Sequence, residues 1–92
     1  MGDELIDGNN PVPKYIQLRE ILRARIEEGE YLPGAAIPSE SELVEEFGIH
    51  RLTVRNAINS LTLEGQLKPV QGKGVFVVGK KIRHELDSMS GF

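Results

Sequence analysis

The sequence predicts an α+β domain of three helices closed by a β-hairpin. Three observations lead there. Apolar residues recur at helical spacing in three stretches, Tyr15 to Ile26, Leu43 to Phe47 and Val54 to Leu61. Gly48 separates the second stretch from the third and leaves room only for a tight turn. Two short β-like runs, Leu67–Val70 and Val75–Val78, flank Gln71-Gly72-Lys73-Gly74, and this spacing predicts a hairpin.

Residues 1–12 are expected to be a disordered tail, because they are polar and acidic and contain the breaker cluster Gly8-Asn9-Asn10-Pro11. Pro13 opens the first helix, where its missing N–H is not needed. Tyr15, Leu18, Ile21, Leu22 and Ile26 form its apolar stripe, and Arg19, Glu20, Arg23 and Glu27 its outer face. Arg23 and Glu27 are placed to pair at i,i+4, and Gly29 is the natural stop. Lys14 is either solvated or close to a phosphate. Tyr31-Leu32-Pro33-Gly34 is a turn, and Ala35-Ala36-Ile37 a short extended piece at the edge of a small sheet.

Ser39 begins the second helix as its cap, and Glu42 three residues on completes a capping box. The same helix start also suits a phosphate. Leu43, Val44 and Phe47 supply its buried side. The third helix, 50–64, buries Val54, Ala57, Ile58 and Leu61, while Arg51, Arg55 and Asn59 step by four along another side with Asn56 beside them. Two helices joined by a short glycine turn make a helix-turn-helix. A lysine-tipped hairpin after it has the form of a wing, though an ordinary solvated turn has the same composition. The domain so defined spans 13–79, and 80–92 is expected to begin a linker.

The 92 residues suffice for one small domain. There is no cysteine, which excludes disulfides and thiolate metal sites and fits a reducing cytoplasm. No apolar run approaches the roughly 20 residues that span a bilayer, so no membrane association is expected. The net charge is −3, but it is unevenly divided. Residues 1–47 carry four basic and eleven acidic groups, whereas residues 48–83 carry seven basic groups and only Glu64. The sign reverses where the third helix begins, and a local basic face matters more for phosphate contact than the total.

A helix that buries one stripe and offers arginines and amides on another suits the DNA major groove, where Arg pairs with guanine and Asn with adenine. A solvated surface helix with two arginines shares that pattern. A winged-helix module for protein contacts is the alternative function, but its wing tip would be apolar or aromatic, and this one carries Lys73 between glycines. An enzyme is not expected. His50 and His84 lie far apart, and no acid/base pair or nucleophile elbow is present. Capping and solvated helix surface account for Glu40, Glu42, Glu45 and Glu46, so neither metal nor cofactor is expected.

Residues 13–78 resemble the winged helix-turn-helix domain at the N-terminus of GntR-family bacterial transcription regulators. The matching motifs are Pro13-Lys14-Tyr15, Ile37-Pro38-Ser39-Glu40, Phe47-Gly48-Ile49-His50-Arg51-Leu52-Thr53-Val54-Arg55, Leu61-Thr62-Leu63-Glu64-Gly65 and Gln71-Gly72-Lys73-Gly74-Val75-Phe76-Val77. The segment Lys81 to Phe92 resembles the linker of the HutC subfamily. The resemblance implies that Arg51 and Arg55 contact bases, that His50 and Thr53 sit near phosphates, and that Gly72, Lys73 and Gly74 place the wing in the minor groove. It also implies a dimer on a palindromic operator, usually as a repressor, with a C-terminal domain that binds a small metabolite. No such effector domain lies within these 92 residues. The chain alone is therefore expected to bind an operator without answering an inducer, as a monomer or weak dimer.

Four positions depart from the family pattern. Ser41 stands where an Arg often reads a base, and Asn56 replaces a common Glu. His50 replaces the Ser or Thr cap of the third helix, and Pro69-Val70 a frequent Arg pair before the wing. These departures bear on which operator is read. The expected DNA contacts are Ser39, Ser41, His50, Arg51, Thr53, Arg55, Asn56, Gly72, Lys73 and Gly74.

Overall fold

The computed structural model describes residues 6–79, so the expected linker at 80–92 lies outside the described residues. Three helices, α1 (Lys14–Glu27), α2 (Glu40–Phe47) and α3 (Arg51–Leu63), precede two strands, β1 (Leu67–Val70) and β2 (Gly74–Val77). The order and type of elements follow the sequence prediction. The second strand is shifted by one residue from the expected run, so that Gly74 enters β2 opposite Val70 and Val78 lies beyond its end.

Each helix boundary has a local cause. Ser39 Oγ accepts from the Glu42 amide at 3.1 Å while Glu42 Oε1 accepts from the Ser39 amide at 2.8 Å, which completes the capping box. Gly48 ends α2 at φ 65°, ψ 39°, a left-handed conformation that costs a side-chain-bearing residue about 1 kcal/mol. α3 then starts three residues later, and this tight joint sets the angle between the two helices.

Helix α3 is central, packing against α1, α2 and β1. Val54, Ala57, Ile58 and Leu61 are buried as the stripe requires, and they meet Leu18, Leu22, Leu43 and Leu67 in one core. Leu67 and Val77 face each other across the hairpin and close the core beneath the wing. The hairpin has a third partner. Ile37 donates its amide to the Val75 carbonyl, Val77 donates to Ala35, and Gly34 donates to Val77, all at 2.8–2.9 Å. Ala35-Ala36-Ile37 is thus the edge piece expected from sequence, and β2 is the middle strand. Pro69 causes no break, because it faces Val75 three residues along from the hydrogen-bonded Gln66–Val78 pair, and alternation makes that a non-hydrogen-bonded position. There a residue's N–H points away from the partner strand.

One expectation is corrected around α1. The outer-face pair Arg23–Glu27 does not form. Arg23 instead bonds Glu20 one turn back and Glu64 at the end of α3, so this face of α1 is turned partly toward α3. Arg19 completes the contact by donating to Ser60 Oγ at 3.2 Å. The described part of the expected tail also carries structure. Gln17 accepts from the Asp7 amide at 2.8 Å and donates to the carbonyls of Asp7 and Val12, and Ile6 packs against the core.

Arg25 had no place in the apolar stripe, yet only 5% of it is exposed. Its guanidinium donates to Glu46 Oε2 at 2.7 Å and to the Tyr31 hydroxyl, with its carbon 5.3 Å from the Phe47 ring centre. The position is legible after the fact. Residue 25 lies three after Leu22 and seven after Leu18, on the buried face. The arginine is tolerated there because its charge and donors are met.

Candidate nucleic-acid interface

The face of α3 turned away from the core carries Arg51, Leu52, Arg55, Asn56 and Asn59, all exposed. Thr53 is half-buried at its margin. Sequence spacing alone put the polar members there. The structure adds an acidic partner from the neighbouring helix. Glu40, the first residue of α2, accepts from Arg55 Nε at 3.1 Å and Arg55 Nη2 at 3.2 Å, and reaches Arg51 Nη1 at 3.5 Å. Arg51 also donates to Ser41 Oγ at 3.4 Å. The Arg55 guanidinium, with Arg51 beside it, holds the Glu40 carboxyl below the usual carboxylate range, and Glu40 in turn raises Arg55.

Sequence reasoning assigned Glu40 to solvated surface and missed this role. The signal is long-range, since eleven and fifteen residues separate Glu40 from its two partners. Both arginine side chains remain over 50% exposed, so the pairing orients them without hiding them. A fork-to-fork arginine–carboxylate contact fixes a guanidinium plane better than a single bond does.

The amino ends of the two helices differ. α2 has its capping box. α3 is preceded by its cap residue His50, which is extended and exposed and makes no side-chain cap bond. The first turn of α3 therefore receives no acceptor from its own cap residue, and such a helix start attracts anions.

The wing tip stands beside α2. Gly72 and Gly74 take φ of 79° and 126°, so the turn around Lys73 depends on residues without a side chain. Lys73 is exposed. Ser39, Ser41 and Arg51 line one wall of an open groove of about 750 Å³, and Gly72, Lys73 and Gly74 line the other. Six of the ten expected contact residues thus meet in one groove. Arg55 adjoins it through Glu40, while His50, Thr53 and Asn56 lie on α3 outside it. Among the described residues, no helix is long and apolar enough to cross a membrane.

The model of the family described as bacterial regulatory proteins, gntR family, matches residues 14–77. The chain belongs to that family. Curated relatives include the transcriptional repressor NagR of Bacillus subtilis, 40% identical over 95% of this chain and 36% of its own length. The histidine utilization repressor of Pseudomonas putida is 39% identical over 86% of this chain and 32% of its length. The chain thus spans about a third of these relatives. Among solved structures, the AraR DNA-binding domain in complex with operator ORE1 is 42% identical, with a TM-score of 0.73 over 78% of this chain and 88% of that one. YtrA of Sulfolobus acidocaldarius, a GntR-family transcription factor, is 33% identical, with a TM-score of 0.75 over 91% and 88%. The fold is the family's winged helix-turn-helix.

Proposed function

We propose that the chain is a sequence-specific DNA-binding domain of a GntR-family transcription regulator, of HutC type and working as a repressor in the cytoplasm. The observation that carries this reading is the exposed α3 face. It offers Arg51, Arg55 and Asn56 together, beside a wing that presents Lys73. α3 enters the major groove, with Arg51 and Arg55 aimed at guanine and Asn56 at adenine. Lys73, between Gly72 and Gly74, reaches into the adjoining minor groove. Ser39, Ser41, His50 and Thr53 take the flanking backbone, and the start of α3 offers its first amides to a phosphate. The likeness to the AraR domain in complex with operator supports the DNA-binding part of this reading.

The operator is palindromic and is bound by two copies, which the whole regulator joins. A small-molecule effector acts through a C-terminal domain outside these residues. The chain itself does no catalysis and needs no cofactor.

The test is selection of duplexes from fragmented genomic DNA with the 92-residue chain, then anisotropy titration on the recovered site at two salt concentrations. A palindrome bound far better than a scrambled duplex, with affinity falling as salt rises, is the expected result. Equal affinity for site and scrambled duplex would remove the sequence-specific part. No binding at low salt would turn the assignment to a protein-contact module.

A further inference from the structure

We infer that Leu52 is a specificity residue that reads the 5-methyl group of thymine, an inference that rests on the DNA-binding reading above. Leu52 is 63% exposed and takes no part in the core. Single exposed leucines are ordinary on protein surfaces, so exposure alone would mean little. Its place is what matters. It follows Arg51 and stands three and four residues before Arg55 and Asn56, which puts all four on one outward patch of α3. Leu63 is more exposed still, at 89%, but it ends the helix, about 16 Å along the axis from Leu52.

Leucine has neither donor nor acceptor. Among the groups on base-pair edges in the major groove, the thymine methyl is the one that an apolar side chain recognises. The patch then divides into two rows. Arg51 and Arg55 suit guanine, whereas Leu52 and Asn56 suit A·T pairs, the first through the thymine methyl and the second through the adenine edge. Leu52 and Asn56 lie about 6 Å apart along the helix axis, just under two base steps, so they address pairs within two steps of each other. The half-site therefore contains two A·T pairs within two steps of each other, beside the guanines.

Deoxyuridine tests this directly, because it removes the methyl and leaves the hydrogen-bonding edge unchanged. Each thymine of the selected duplex is replaced in turn, and affinity for the 92-residue chain is measured by anisotropy. At one or two positions per half-site the affinity is expected to fall about four-fold, the loss for one buried methyl. Leu52→Ala should bind thymine and uracil versions of those positions alike. Leu52→Met should keep the difference, and both variants should melt like the parent, since the side chain is exposed. The inference is overturned if every uracil duplex binds as well as its parent, or if Leu52→Ala keeps the full difference. If selection recovers no specific duplex at all, the DNA-binding reading falls first and takes this one with it.

Discussion

Helices α1 and α3 both carry arginines, and they use them in opposite ways. Arg19, Arg23 and Arg25 on α1 bond partners elsewhere in the fold: Ser60 and Glu64 of α3, and Glu46 of α2. Arg51 and Arg55 on α3 face outward and are met by one carboxylate, that of Glu40. The difference teaches that an arginine's role is set by what surrounds its head group, and burial decides it. Arg25 is a structural cross-link between α1 and α2. Arg55 is a donor fork held ready at the surface, with its charge only partly offset.

Substitution should separate the two sets. Arg25→Ala is expected to cause the largest loss, about 2–3 kcal/mol of stability, because it strands Glu46 and the Tyr31 hydroxyl; Glu46 is itself part-exposed, which keeps the cost at the low end. Urea titration measures it, and the folded fraction should bind DNA as before. Arg55→Ala should show the reverse pattern. It leaves the melting temperature within a degree or two but costs about 1–3 kcal/mol of binding to the selected site. Similar loss of stability from both substitutions would erase the distinction.

Glu40→Gln probes the link between the two helices. Without the carboxylate, the arginines lose their fixed orientation and gain net positive charge. Affinity for scrambled duplex should rise several-fold, and discrimination between site and scrambled duplex should fall. Unchanged discrimination would mean that Glu40 does not orient the fork. Lys73→Ala should weaken all duplexes about equally and flatten the salt dependence by about one charge.

The smallest effect is on pH. Arg23 lowers the Glu20 and Glu64 carboxyls, and Arg55 lowers Glu40. Their folded values lie below the ordinary 4.5, so their contribution is fully present above that value and is lost as pH falls through it. The melting temperature should hold from neutral pH to about 5 and decline below 4.5, by little, since these pairs are largely exposed. A decline already under way near pH 6.5 would point to a histidine instead.

How much of this was legible in the sequence differs by range. The capping box at Ser39–Glu42, the stop at Gly48 and the stripe Val54–Leu61 are local patterns, and the structure reproduces them. The exposed side of α3 was legible for the same reason, since a helix with one buried stripe must present the others. What the sequence hid depends on contacts between elements. Arg23 had a plausible local partner in Glu27 and took Glu64 instead. Glu40 had a sufficient local reason to exist as a first-turn acid, so nothing pointed to Arg55. Arg25 lay on the apolar face all along, but its charge disguised a buried position.

The middle strand has a mechanical consequence. β2 holds β1 on one side and residues 34–37 on the other, and those residues run straight into Pro38 and the cap of α2. Wing tip and α2 are therefore the two jaws of one caliper, with β2 as its beam. Backbone bonds on both flanks of the strand tie the two together. Under the docking proposed above, a duplex held between wing tip and α2 must match that gap in width, or be bent to it, before any side chain tests a base. A mutation that loosens residues 34–37 would act like play in the instrument, blunting the measurement while every contact residue stays intact.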